Sequence, residues 1–519
     1  MVFGRFTMGR GHLRVDVRAG LSLVGTLTAA LSVAHIVPII VSLAYGGEDL
    51  WVFVATFVLT AAVGLSLRQL DPHPEPGARE AFMVVALTWL FAAVFGAVPY
   101  VLAGNGAIAQ PVNAFFESMS GFTTTGATVM DNISLDHHSH AILMWRQLTQ
   151  WLGGMGIIVL AVAILSEMAV GGAQLMRAET PGPGVSKLTP HIEQTARVLW
   201  LAYVFFTALF IVLLYALHLA GFAENMTLYN AFAHGFSTLP TGGFSPEARS
   251  IQAFSPAVQW LFVPFIFVAG VNFVLWWHVL TGDPRSLVRD AEFRLYLGAV
   301  TVLSAVGAVV LFTSSLETVD AGVVGGQLER SLRYAVFQIV SLVNSTGFAN
   351  MDFYEWSGPA KAILLFAMFV GGSTGSTGGG IKILRWLVIL KTLRRELFTT
   401  VHPDAVRPVR MNGRVLNEEA VRGIYAFTLL YVVLFFVGIG LLAADAARVG
   451  ADLTLLDILS ASIASLGNIG PGLGEVTGPM GGYGSFPTTS KLLMILYMWI
   501  GRLEIFPVLV LLTKAYWRS

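Results

Sequence analysis

Ala362-Ile363-Leu364-Leu365-Phe366-Ala367-Met368-Phe369-Val370 runs straight into Gly371-Gly372-Ser373-Thr374-Gly375-Ser376-Thr377-Gly378-Gly379-Gly380, and helix-like sequence resumes at Ile381. A tract of only glycine, serine and threonine does not hold a helix, because each glycine costs about 1 kcal/mol relative to alanine. In hydrocarbon, unwound backbone is tolerated only where protein buries it or a watery cavity receives it. The stretch therefore reads as a movable plug in a pathway through a membrane. The alternative reading is a polar loop between two short helices outside the bilayer.

The surrounding chain has the composition of a membrane wall. Its 519 residues are 55% hydrophobic and 12% charged, whereas soluble domains carry about 25% charged residues. Net charge is zero and cysteine is absent, which excludes disulfides and thiol chemistry, and nothing in the pattern points to nucleic acid. About 20 apolar residues span a bilayer. Long apolar runs lie near 20–45, 50–68, 80–103, 141–170, 197–220, 256–281, 293–315, 358–391 (broken), 422–446 and 489–514. The first follows Arg5, Arg10, Arg14 and Arg18 and is long enough to be a retained helix rather than a signal peptide.

Shorter segments at 111–122, 226–238, 330–343 and 453–465 fall between alternate pairs and suit re-entrant half-helices. The expected fold is all-α and polytopic. It has an accessory helix pair at 1–78 and four helix–half-helix–helix repeats at 79–190, 191–290, 291–415 and 416–519, around a pseudo-fourfold pore. Lys and Arg concentrate on one side of the chain, including Arg68, Arg79, Arg177, Lys187, Arg285, Arg289, Lys391, Arg394, Arg395, Lys514 and Arg518. The positive-inside rule then places both termini in the cytoplasm.

Each short segment ends in a small, glycine-containing tract: Thr123-Thr124-Thr125-Gly126-Ala127, Leu239-Pro240-Thr241-Gly242-Gly243, Asn344-Ser345-Thr346-Gly347-Phe348 and Gly467-Asn468-Ile469-Gly470-Pro471. Extended backbone without bulky side chains exposes carbonyls, and rings of carbonyls replace the hydration shell of K⁺. Half-helix C-termini add partial negative charge. Taken singly, each tract also reads as an ordinary turn. Acids follow the tracts at Asp131, Asp136, Glu247, Asp352, Glu355 and Glu475; around a cation pore they raise the local cation concentration. His137, His138 and His140 read as a metal cluster or as exposed loop histidines. Asn272, Trp276, Trp277 and His278 read as interfacial anchors. Arg502 lies in an apolar run, where a charge faces the protein interior. It reads either as a cation guarding the pore or as the partner of a carboxylate such as Glu117 or Glu504.

These tracts, the broken helix and Arg502 resemble the Trk/Ktr/HKT superfamily of potassium transporters, and the extra N-terminal pair favours the TrkH branch. The resemblance implies K⁺ uptake through a selectivity filter with its glycines at Gly126, Gly242, Gly347 and Gly470. It also implies a gate formed by Gly371 to Gly380 with Arg502. Glycine at 126 implies preference for K⁺, while Asn468-Ile469 departs from the Thr or Ser expected there. It further implies a homodimer in a bacterial plasma (inner) membrane, in contact with lipid. A cytosolic nucleotide-binding RCK ring of the TrkA type would dock on the basic stretch from Arg394 to Arg422. The chain itself has no nucleotide motif and no organic cofactor or enzymatic signature, so K⁺ is its cargo. Coupling to Na⁺ or H⁺, and a role as the ion-binding subunit of an ATP-driven pump, are the other functions these motifs allow.

Overall fold

A computed structural model describes residues 15–74, 77–167, 192–318 and 322–517. Arg5, Arg10, Arg14, Arg177, Lys187, Arg518 and the expected boundary at 190/191 lie outside the described residues.

The chain begins with a helix pair. Val17–Ala44 is helical throughout, with a short 3-10 turn at Val33–His35, and Leu50–Arg68 packs along it. Gly25 and Gly64 sit so close that a methyl group on either would strike the other's carbonyl oxygen. With no hydrophobic drive between helices in lipid, such close backbone contact is what packing gains from small residues.

One pattern then recurs. Ala78–Ala103, Pro111–Phe122 and His140–Glu167 form its first instance, and Ile192–Leu219, Leu228–Thr238 and Pro256–Ala269 with Phe273–Leu280 its second. Ala291–Thr313, Leu328–Val343, and Gly358–Phe369 with Ile383–Val401 follow, then Glu418–Val449, Leu455–Leu466 and Thr488–Arg502. Three of the four short helices start where their sequences supply a start signal. Pro111 occupies the first turn, the Thr227 hydroxyl accepts from the Asn230 N–H, and Thr454 and Asp457 form a capping box.

The distribution of side chains is inverted relative to a water-soluble protein. Val212, Val302 and Leu429 on the long helices are exposed, while Ser120, Thr125, Gln147, Ser237, Asn344, Ser345 and Asn468 are buried at the centre. An apolar perimeter and a polar interior suit a lipid solvent around a hydrophilic pathway.

Two runs that read as single spans are interrupted. The 256–281 run bends by 103° between Ala269 and Phe273. There, Gly270 ends one helix and the Asn272 side chain caps the next by accepting from the Val274 N–H. The 489–514 run stops at Arg502, because Glu504 and Ile505 take φ of 57° and 67° before Phe506–Leu511 resumes. Pro507 explains the site of this break, since it lacks an N–H and its ring clashes with the preceding turn. Among the described residues, six continuous helices are long and apolar enough to cross a membrane, or seven with the bent pair taken as one span.

Candidate ion pathway

Each short helix unwinds into the same turn. Thr124, Thr241, Ser345 and Asn468 have φ of 52°, 57°, 54° and 53°. The next residue's N–H returns to the helix: Thr125 to the Ser120 carbonyl, Gly242 to Ser237, Thr346 to Ser341 and Ile469 to Ala464, at 2.8, 2.8, 2.7 and 2.8 Å. The residue after that is a left-handed glycine in all four: Gly126, Gly243, Gly347 and Gly470, with φ of 83°, 79°, 78° and 97°.

This register corrects the second tract. The sequence aligns Gly242 with Gly126, Gly347 and Gly470, but the equivalent residue is Gly243. Gly242 instead matches Thr125, Thr346 and Ile469, while the short helix ends at Thr238 as the 226–238 segment implies. Two adjacent glycines leave the register open in the sequence, and the demand for positive φ at one position decides it.

The four glycines also show how the turns fit together. A methyl group on Gly126 would strike the Gly242 carbonyl oxygen, one on Gly243 that of Thr346, one on Gly347 that of Ile469, and one on Gly470 that of Thr125. Each repeat thus abuts the next, and the fourth returns to the first. The result is a closed ring of backbone. Asn468 fits within it, donating from Nδ2 to Thr125 Oγ1 at 3.0 Å and to the Met498 carbonyl at 2.9 Å.

Buried polar side chains brace the ring from behind. Glu117 accepts from Arg146 Nε at 2.6 Å, from the Val129 N–H at 2.9 Å and from the Thr128 hydroxyl. Arg146 also donates to the Ser245 carbonyl at 3.0 Å and lies over the Phe244 ring. Gln150 donates to the Gly242 carbonyl at 2.6 Å and accepts from the Phe244 N–H at 3.1 Å. Asp457 gathers the Val476 and Thr477 N–H groups in the fourth repeat. The reading of sequence missed Arg146 and Gln150. Their signal was polar residues on one stripe of an otherwise apolar helix.

On the opposite side of the ring from Phe244 and Glu247 lies the 371–380 loop, buried apart from partial exposure at Gly380 and an exposed Gly375. It fills the break between Pro256–Ala269 and Phe273–Leu280. The Ser373 N–H donates to the Gly270 carbonyl at 2.8 Å, and the Phe273 N–H donates to the Gly375 carbonyl at 3.2 Å. Two unwound segments thereby satisfy each other's backbone groups, which hydrocarbon requires. Asn272 is not an interfacial anchor: it is buried against Gly375. The loop also touches the ring. Gly379 N–H donates to the Ser345 hydroxyl at 2.5 Å, and the Thr377 hydroxyl donates to the Leu239 carbonyl at 2.9 Å.

Arg502 is buried beside this loop and donates through Nη1 to the Thr377 carbonyl at 2.7 Å. Neither carboxylate considered for it is its hydrogen-bond partner. Glu117 is engaged by Arg146, and Glu504 accepts from Arg385 Nη2 at 2.6 Å. Lys382, a second buried cation that sequence reading passed over, donates to the adjacent carbonyl of Gly378.

On the far side of the ring a recess is lined by the four glycines, Arg146 and Glu247. The nearby histidines do not converge: His140 stacks on Tyr45 with centroids 3.8 Å apart, whereas His138 packs near Gly106. Burial, reinforced by the Arg146 charge, lowers the His138 pKa. Among the described residues no group of His, Asp and Glu is arranged to hold a metal.

A helical membrane protein built around one polar pathway, ringed by four equivalent turns and crossed by a buried loop, is of the transporter class. The family model described as "TrkH: Cation transport protein" matches residues 50–518. The Trk system potassium uptake protein TrkH of Halomonas elongata is 37% identical over 517 residues, covering 97% of this chain and all of that one. TrkG of Escherichia coli K12 is 32% identical over 519 residues, covering 99% of this chain and all of that one. The crystal structure of the potassium transporter TrkH from Vibrio parahaemolyticus superposes with a TM-score of 0.83 at 34% identity, covering 97% of this chain and all of that one. The chain belongs to the TrkH family.

Proposed function

We propose that this protein takes up K⁺ across a bacterial inner membrane, with the four turns as its selectivity filter and the 371–380 loop with Arg502 as its gate. The observation that carries the reading is the closed ring, in which Thr125, Gly242, Thr346 and Ile469 present a carbonyl to the glycine of the neighbouring repeat. K⁺ sheds water onto such carbonyls. The C-terminal ends of the short helices favour the cation there through their partial negative charge. Membership of a cation transport family and potassium in the names of the relatives support the choice of ion.

Below the filter, the Arg502 guanidinium bonds a loop carbonyl. A charge-assisted bond of this kind outweighs a neutral one and holds the loop across the pathway. The same fixed charge repels cations. Opening requires the loop to leave Arg502, Ser345 and the Gly270 carbonyl together. The mechanism needs no chemistry beyond ion transfer. Both termini face the cytoplasm in this reading, and the pore is made by the repeats at 79–190, 191–290, 291–415 and 416–519. The chain pairs as a homodimer, and a cytosolic nucleotide-binding ring acts from the basic side.

Flux through purified protein in liposomes, comparing K⁺, Rb⁺ and Na⁺ at a set voltage, tests the function. K⁺ and Rb⁺ should pass well ahead of Na⁺. Equal passage of all three, or none of K⁺, overturns it.

A further inference from the structure

The loop is held at a second point, by a buried carboxyl group. Glu292, in the first turn of Ala291–Thr313, is buried, and its Oε1 accepts from the Thr374 N–H at 2.6 Å. Arg502 bonds the Thr377 carbonyl, so a carboxyl and a guanidinium hold the loop from its N–H side and its carbonyl side. Lys382 lies on the next carbonyl, that of Gly378.

The same helix end is tied to an exposed hairpin. Asp290 caps the helix through Oδ1, which accepts from the Phe293 N–H at 2.8 Å. Its Oδ2 accepts from Asn412 Nδ2 at 3.0 Å, and Asn412 Oδ1 accepts from the Ala291 N–H at 3.2 Å. Asn412 and Gly413 are both left-handed, φ 45° and 82°, in the turn joining Arg410–Met411 to Arg414–Val415. One helical turn therefore separates the hairpin tip from the loop.

We infer that Glu292 is the second anchor of the gate loop and that Asn412, acting through Asp290 and the helix end, is the residue that positions it. The inference rests on the gate reading above. A shift of the hairpin would rotate or fray the first turn and withdraw the Glu292 carboxylate from Thr374. The hairpin is thus the lever by which a cytoplasmic event reaches the loop without touching the filter.

The test uses the full chain in liposomes with no added partner. Glu292→Leu removes the acceptor, and Glu292→Gln restores a neutral one. Asn412→Gly removes the side chain while suiting the left-handed backbone. K⁺ flux is one readout. The other is the reaction of a thiol reagent with Ser373→Cys, which is unambiguous because the chain has no cysteine of its own. Glu292→Leu and Asn412→Gly should each raise flux and thiol reactivity several-fold, and together no further, because they break one linkage. Glu292→Gln, which keeps an acceptor for the Thr374 N–H, should hold both near wild type, whereas a merely destabilised fold would not confine the change to loop reactivity at a fixed ion ratio. The ratio of K⁺ to Na⁺ should stay fixed. If Arg502→Ala raises flux while Glu292→Leu and Asn412→Gly leave flux and reactivity unchanged, the second anchor is wrong and the gate stands. If Arg502→Ala also leaves both unchanged, the gate reading falls and this inference with it. Should Glu292→Leu fail to fold, Asn412→Gly alone decides.

Discussion

Single residues carry the geometry of the ring. Gly126 and Gly243 occupy equivalent left-handed positions against a neighbour's carbonyl. Serine at either would strain the backbone and displace that carbonyl. Gly126→Ser and Gly243→Ser should therefore each lower the K⁺-to-Na⁺ flux ratio, by about tenfold for a loss of ~1.4 kcal/mol in ion discrimination. If Gly243→Ser keeps the wild-type ratio, the corrected register is wrong. Behind the ring, Glu117 and Arg146 form a fully buried pair. Arg146→Met strands a carboxylate in the interior and should destabilise the protein by about 3–5 kcal/mol, since a broken buried pair leaves an uncompensated charge. Thermal unfolding in detergent measures this, and adding Glu117→Gln should recover part of the loss. That Arg146 partners Glu117 was not legible in the sequence, because the two lie 29 residues apart and only the packing of two helices brings them together.

At the scale of elements, the long helices, the short helices and the broken one were legible, because apolar length, caps and a glycine tract are local signals. The breaks at Gly270–Asn272 and Leu503–Ile505 were less so. Each break holds a single polar residue, Asn272 or Glu504, within an apolar run, and a hydropathy pattern is blind to backbone angle. What occupies the first break is the 371–380 loop, so the two unwound segments behave as one element. Deleting Ser373 to Gly378 should raise K⁺ flux, as should Arg502→Ala, and the two changes together should add little beyond either alone, since both remove the contact at Thr377. Full additivity in liposome flux would place Arg502 outside the gate.

For the whole molecule, the ring and the loop, proposed as filter and gate, are separate parts that touch at Ser345 and Leu239. A regulator acting on the basic face therefore has the loop as its nearest target. Adding the proposed nucleotide-binding ring should change K⁺ flux and leave the order of ions unaltered; a changed order would mean that regulation reaches the filter. The fourfold plan was legible from four tracts spaced along one chain. Closure of the ring, from Gly470 back to Thr125, was not, because it depends on the last repeat meeting the first. The most direct measurement of the account is K⁺ and Na⁺ flux through wild-type protein and Arg502→Ala, side by side in liposomes. The account predicts higher K⁺ flux in Arg502→Ala with the K⁺-to-Na⁺ ratio of the wild type. A folded, assembled Arg502→Ala protein that conducts no more K⁺ than wild type would contradict it.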